Sequence, residues 1–90
     1  MAGGLDIRRK RLRFRSRYRG TKELDLLLGG FADERLETMN EAELDRFETL
    51  LELPEPVLGA WLVGGRAPPP EYDNEVTRAL LAFRPKPGGA

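Results

Sequence analysis

The sequence predicts an all-α protein, a compact bundle of five short helices in a single domain over residues 5–84. Apolar residues recur every three or four positions along most of the chain, which is the period of a helix with one buried face. Glycine and proline separate these segments, and no two strand-like runs are joined by a hairpin turn. A length of 90 residues fits one domain. The Gly- and Pro-rich ends, residues 1–4 and 85–90, are predicted to be flexible.

The first predicted helix, residues 5–19, is the ambiguous element. At positions 14–18 arginine alternates with aromatic or small residues, which is the period of a strand. A helical period is also present, with a stripe of four residues: Ile7, Arg11, Phe14 and Tyr18. Leu5 and Leu12 lie on a neighbouring face. A lone strand would have no partner, so we interpret the segment as a helix whose aromatic residues face the core.

The second and third helices begin at capping residues. Thr21 can cap the second helix, and Glu23 and Asp25 in its first turn suit the positive end of the helix dipole. Asn40 followed by Glu43 has the spacing of a capping box at the start of the third helix. The predicted buried residues of the two helices are Leu24, Leu27, Leu28 and Phe31, and Leu44, Phe47, Leu50 and Leu51.

Proline and glycine delimit the last two helices. Pro54 and Pro56 end the third helix, and Pro56 suits the first turn of the fourth, which Gly64 and Gly65 stop. Residues 68–70 are three prolines, which predict a stiff extended connector. Asp73 is the predicted cap of the fifth helix. The expected apolar residues are Val57, Leu58, Trp61 and Leu62, with Trp61 in the core and Tyr72 at its edge, and then Val76, Ala79, Leu80 and Phe83.

Composition argues against an enzyme. The chain has no Cys and no His, which removes disulfides, the usual zinc ligands and the usual nucleophile–base pairs. Carboxylates are paired at i, i+4 (Glu41 with Asp45, Glu48 with Glu52), but on helix faces expected to be solvated, where nothing raises a pKa. No phosphate-binding loop and no calcium-loop spacing occurs. We therefore predict no catalytic, metal-binding or cofactor-binding residues and no stably bound cofactor.

The net charge of zero conceals two oppositely charged regions. Residues 1–22 carry nine cations against one acid, a net +8, whereas residues 23–84 carry fourteen acids against five arginines, a net −9, and Lys86 brings the total to zero. A basic arm suggests an anionic partner such as nucleic acid, anionic lipid or an acidic protein surface. The alternative is that the arm folds against its own acidic body.

No segment is predicted to span a membrane, since the longest uncharged stretch, residues 56–65, is half of the roughly 20 residues required. The basic N-terminus is not followed by the apolar segment of a signal peptide. A cytoplasmic location is expected, although Arg-rich sequence also resembles a mitochondrial presequence.

The most distinctive local pattern is Arg19-Gly20-x-x-Glu23 at the junction of the first two helices. A glycine there tolerates positive φ and lets another backbone approach closely. Arg19 can offer two parallel hydrogen bonds to a carboxylate. The alternative is a plain C-cap glycine flanked by an ion pair within the chain.

In its wider context this pattern resembles the succinate dehydrogenase flavinylation factors, the SdhE family, whose mitochondrial counterpart is succinate dehydrogenase assembly factor 2. The resemblance covers about residues 6–84. The residues that carry it are Arg9-Lys10-Arg11-Leu12, Arg15-Ser16-Arg17, Arg19-Gly20-Thr21-Lys22-Glu23-Leu24-Asp25, Phe31-Ala32, Leu44, Leu50-Leu51, Trp61, Arg66-Ala67-Pro68, Asn74-Glu75-Val76 and Leu80-Leu81. Gly29 and Gly30 depart from it, as a glycine pair inside a helix.

The resemblance implies an assembly factor that binds the flavoprotein subunit of succinate dehydrogenase, or of the related fumarate reductase. Such a factor promotes covalent attachment of FAD to that subunit without supplying catalytic groups. The implied contact residues are Arg15, Arg17, Arg19, Gly20 and Glu23. The free protein is expected to be a bacterial cytoplasmic monomer, with a mitochondrial matrix location as the alternative. The competing hypothesis is a nucleic-acid-binding or antitoxin-like regulatory protein that uses the basic arm.

Overall fold

The computed structural model describes residues 3–17 and 21–84, and within them it is all α-helical, as predicted. The five helices are α1 (Gly3–Arg17), α2 (Lys22–Arg35), α3 (Glu41–Leu51), α4 (Glu55–Leu62) and α5 (Glu75–Ala82). Two 3-10 turns, Leu36–Thr38 and Pro70–Tyr72, follow α2 and precede α5. Helix α1 begins two residues before the expected start at residue 5, while residues 18–20 lie outside the described part.

Local capping determines where α2 and α3 begin. The Thr21 hydroxyl accepts a hydrogen bond from the Leu24 N–H at 3.3 Å. Asn40 and Glu43 form the predicted capping box, with each side chain accepting from the other residue's backbone N–H at 2.9 Å. These three interactions satisfy backbone donors that a helix start leaves without intrahelical partners.

The predicted cap of α5 is wrong by one residue. Asn74, not Asp73, accepts the hydrogen bond from the Thr77 N–H, at 2.9 Å. Asp73 instead closes the preceding 3-10 turn through its N–H, which donates to the Pro70 carbonyl at 3.0 Å. Its carboxylate accepts from Arg78 at 2.6 Å. The three consecutive prolines therefore lead into a short turn, and that turn displaces the helix start.

One apolar core is shared by all five helices. Its largest members are Leu12, Leu24, Leu28, Phe31, Leu36, Leu44, Phe47, Leu50, Leu51, Leu58, Trp61, Val76 and Leu80. The Phe31 ring contacts Phe47 and Phe83, at centroid distances of 5.6 and 5.8 Å. Trp61 is buried and packs against Tyr72 at 5.3 Å, as predicted for a core residue and its edge neighbour. Burial of one such side chain stabilises the fold by about 1.5–3 kcal/mol.

Helix α1 presents a different face to the core from the one predicted. Leu12 and Ser16 are buried, whereas Ile7 and Phe14 are 58% and 57% exposed. The Ser16 hydroxyl donates to the Leu12 carbonyl at 2.7 Å, so its polarity is satisfied inside the helix. The expectation that the aromatic stripe is buried is therefore wrong for its described members.

Arginines on both sides of the buried Leu12 and Ser16 hold α1 in this orientation. Towards α3, Arg8 donates to Asp45 and Glu48 at 2.6 and 2.9 Å, and Arg15 donates to Glu48 at 3.3 Å. The hydrogen bonds to Asp45 and then Glu48 raise the pKa of Arg8 above its ordinary value, so it stays cationic at any physiological pH.

The other side of α1 pairs with α2 and the turn that follows it. Arg17 donates to Asp33, and Arg13 forms ion pairs with Asp33 and Glu37, both at 3.4 Å. Arg9 donates to the main-chain carbonyls of Leu36 and Met39 at 2.8 and 2.7 Å. Much of the basic arm therefore folds against the acidic body of the same chain, which is the alternative that the charge pattern left open.

The glycine pair inside α2 has a packing role. A Cβ at Gly29 would lie 3.2 Å from the Arg17 Cγ, and one at Gly30 would lie 3.1 Å from the Phe83 ring. Two segments that are distant in sequence thus approach the middle of α2 at neighbouring positions. A glycine within a helix costs about 1 kcal/mol relative to alanine. The close packing that the missing Cβ atoms permit offsets this cost.

Candidate protein-binding site

Three of the five predicted contact residues lie at the adjoining ends of α1 and α2. Arg15 and Arg17 belong to the last turn of α1, and Glu23 belongs to the first turn of α2. Arg19 and Gly20 lie outside the described residues, so the roles assigned to them stay predictions. The structure therefore describes three of the five predicted contact residues, Arg15, Arg17 and Glu23.

Arg15 and Arg17 each bind an acid of their own chain. Their side chains are 34% and 46% exposed, and their carboxylate partners are Glu48 and Asp33. A guanidinium has five N–H donors, so one intramolecular pair leaves donors available on each. These arginines are therefore held in fixed positions from which they can still contact a partner.

Glu23 differs from both arginines. It is exposed, and it makes no ion pair with any residue within 3–17 or 21–84. Glu23 lies in the first turn of α2. The Thr21 cap fixes the same turn. Among the described residues, therefore, Glu23 offers an exposed carboxylate on an anchored turn.

An apolar depression surrounds Glu23, and we call it the α2–α4 groove. One part, of about 400 Å³, is lined by Thr21, Glu23, Leu24, Glu55, Pro56, Gly59 and Val63. An adjoining part of about 340 Å³ is lined by Glu23, Leu26, Leu27, Leu62, Val63 and Arg84. Leu26 and Val63 are 56% and 51% exposed, so two large apolar side chains meet water beside the Glu23 carboxylate.

Sequence reasoning missed this groove. Leu26 and Val63 lie outside the predicted buried stripes. Each directly neighbours a residue predicted to belong to one, Leu27 and Leu62, and the structure leaves both of these only half-buried. The signal for the groove in the sequence was the presence of apolar residues outside the predicted buried stripes. Their position beside each other depends on the packing of α4 against α2, which no local pattern reveals.

The chemistry of the site is that of recognition. A carboxylate on the rim of an apolar groove can bind a protein surface that combines apolar side chains with hydrogen-bond donors. No group of three or more acids that could hold a metal ion occurs among the described residues. Nor is any helix in that part of the chain long and apolar enough to cross a membrane.

Comparison with known proteins gives a consistent result. A family model described as flavinator of succinate dehydrogenase matches residues 10–84. The FAD assembly factor SdhE of Acetobacter pasteurianus is 49% identical over 77 residues, which cover 86% of this chain and 71% of that protein.

Mitochondrial proteins named succinate dehydrogenase assembly factor 2 are also similar. The protein of Dictyostelium discoideum is 36% identical over 72 residues, which cover 80% of this chain and 51% of that protein. The protein of Danio rerio is 37% identical over 81 residues, which cover 88% of this chain and 51% of that protein. The chain therefore spans about half the length of these two mitochondrial relatives.

Proposed function

Since this chain belongs to the family of succinate dehydrogenase flavinators, we propose that it binds the flavoprotein subunit of succinate dehydrogenase and promotes covalent attachment of FAD to it. The related fumarate reductase flavoprotein is a second client under this proposal. The observation that carries it is the exposed Glu23 carboxylate, which lacks an ion pair with the described residues and lies on the rim of the α2–α4 groove.

Each part of the corner has a role in this proposal. The groove buries apolar side chains of the flavoprotein, and Glu23 accepts hydrogen bonds at its rim. Arg15 and Arg17 contact the partner from the α1 side. Arg19 and Gly20, which lie between these arginines and Glu23 in the sequence, contact it as well. Contacts to a backbone or carboxylate across such a corner fix orientation as well as affinity.

The proposed action is a shift of conformational populations. A factor that binds the flavinylation-competent form of the flavoprotein more tightly than other forms raises its population by that difference in affinity. The bond to FAD then forms inside the partner. This chain offers neither His nor Cys for the reaction, so under this proposal it is not an enzyme and holds no FAD stably.

Intramolecular pairing of the arginines weighs against the nucleic-acid hypothesis. Binding to a phosphate backbone depends on cations whose charge is not already neutralised, whereas Arg8, Arg13, Arg15 and Arg17 each form an ion pair with an acid of the same chain. We further propose that the protein is a monomer when free. It acts where the flavoprotein is assembled, in the bacterial cytoplasm, with the mitochondrial matrix as the alternative.

The test is co-purification with the flavoprotein subunit, with covalent flavin read by in-gel fluorescence. We expect the unmodified protein to form a complex and raise covalent flavin. Glu23→Ala and Gly20→Arg should each weaken binding at least about tenfold, which corresponds to about 1.4 kcal/mol. Glu34→Ala is the matched control, because Glu34 is an exposed acid on the same helix.

Circular dichroism and thermal unfolding of each variant separate loss of contact from loss of fold. Folded but inactive Glu23 and Gly20 variants support the corner as the contact surface. The proposal is contradicted if the unmodified protein forms no complex and covalent flavin reaches the same level without it.

A further inference from the structure

We propose that the outer face of α1 is a second docking surface, which binds an acidic surface of the partner that also exposes apolar side chains. Ile7, Lys10, Arg11 and Phe14 form this face, which we call the basic stripe. The inference rests on the proposed function, because the partner is taken to be the same flavoprotein subunit.

The geometry of the stripe is that of a recognition helix. Positions 7, 10, 11 and 14 have i, i+3, i+4, i+7 spacing, which places them on one face along about 10 Å of helix. Leu12 and Ser16 are buried on the opposite face. The stripe borders a shallow hollow of about 360 Å³, which Arg15 also lines.

The basic stripe is unusually rich in exposed apolar side chains compared with the rest of the described surface. Exposed large apolar side chains in the described part of the chain number four, and Ile7 and Phe14 are two of them. Each is more than half exposed, and the two lie about two helical turns apart. Aromatic residues and arginine are enriched in protein interfaces, where a few such anchors supply much of the binding free energy.

The charges of the stripe differ from those elsewhere on α1. Arg8, Arg13, Arg15 and Arg17 form ion pairs with acids of α2, α3 or the turn after α2. Lys10 and Arg11 are exposed and pair with no acid in the described ranges. Two uncompensated cations between two apolar anchors select a partner surface that carries carboxylates around an apolar centre.

Other occupants fit less well. Two cations fall short of the roughly six to ten phosphate contacts of a typical nucleic-acid interface. They also fall short of the basic clusters of about four to eight residues that bind anionic lipid. A symmetric pairing with a second copy would bring Lys10 and Arg11 of both copies together, which is electrostatically unfavourable.

Charge reversal at matched positions tests the proposal. Arg11→Glu changes an arginine of the stripe, and Arg66→Glu changes an exposed arginine outside it that also lacks an ion pair with described residues. We expect Arg11→Glu to raise the Kd for the flavoprotein subunit about tenfold at 50 mM salt and less at 200 mM, since salt screens the lost attraction. Arg66→Glu should stay within about twofold of the unmodified protein. Calorimetric titration of the purified pair measures these values.

Phe14→Ala tests the apolar part of the stripe. It should raise the Kd at both salt concentrations alike, and Phe14→Leu should restore much of the affinity. Normal binding by Arg11→Glu and Phe14→Ala, with loss only in Glu23→Ala, would overturn this inference and leave the proposed function intact. Failure of the unmodified protein to bind the flavoprotein overturns both.

Three further measurements cover the other occupants. Binding to a labelled DNA or RNA duplex, or to phosphatidylserine vesicles, that is lost in Arg11→Glu while flavoprotein binding persists contradicts the inference. So does a dimer in light scattering that Arg11→Glu dissociates. Absence of all three, together with the expected Kd changes, supports the stripe as a docking surface for an acidic protein.

Discussion

The basic stripe and the α2–α4 groove expose similar apolar side chains in opposite electrostatic surroundings. Ile7 and Phe14 of the stripe are 58% and 57% exposed, close to the 56% and 51% of Leu26 and Val63 in the groove. Lys10 and Arg11 lie between the first pair, whereas the groove is lined by two acids, Glu23 and Glu55, and one cation, Arg84. Exposed apolar area therefore does not distinguish the two surfaces; the sign of the neighbouring charge does.

The two surfaces also differ in how they are built. The stripe lies on one helix, so its spacing follows from helical geometry alone. The groove needs α2 and α4 side by side, with the buried Leu24 of α2 in its lining. The groove should therefore be lost with tertiary packing, while the stripe persists for as long as α1 stays helical.

The largest effect should come from removing the core side chain by which α4 packs in the bundle. Leu58→Ala deletes a fully buried side chain of α4 and should lower the free energy of unfolding by about 2–5 kcal/mol. Denaturant unfolding followed by circular dichroism measures it. Leu58→Met keeps the volume and should cost less than about 1.5 kcal/mol. Equal losses in the two variants would show that volume at this position does not stabilise the α4 packing.

A smaller effect is expected where α2 begins. Thr21→Ala removes the hydroxyl that accepts the Leu24 N–H, and it should cost about 1 kcal/mol, whereas Thr21→Ser should retain most of the stability. The first turn of α2 holds Glu23, so amide hydrogen exchange should rise there and stay unchanged in α1. Faster exchange in α1 as well would show that the two surfaces are not independent.

The smallest effect is expected at the exposed anchors themselves. Phe14→Ala and Leu26→Ala should each change the free energy of unfolding by less than about 0.5 kcal/mol, because these side chains are more than half exposed. Leu12→Ala, at a buried position of α1, is the contrasting control. A loss of more than 1 kcal/mol in either anchor variant would assign that anchor to the fold rather than to binding.

How far sequence reasoning succeeded depends on the distance between interacting residues. The caps at Thr21 and Asn40 were predicted correctly because cap and first turn are three residues apart. The orientation of α1 was not, since two helical faces carry apolar residues and the choice between them depends on acids far along the chain. Arg8, for example, is 37 and 40 residues from the two acids that it binds.

The candidate site shows the same division. Glu23 was identified from the family pattern, and its exposed position in the first turn of α2 agrees with a contact role that remains to be tested. The groove around it escaped notice, because Val63 reaches it only after α4 packs on α2. Asp73 and Asn74 are both good caps, and only the turn at Pro70–Tyr72 determines which of them is used.

The glycine pair in α2 has a consequence for the order of events during synthesis. Gly30 is made early, whereas the Phe83 ring that packs on it is made near the end of the domain. Chains emerge from the ribosome at about 5–20 residues per second, so the middle of α2 waits several seconds for its last neighbour. The contacts of α2 with the last segment of the bundle are therefore completed only after residue 83 has been made.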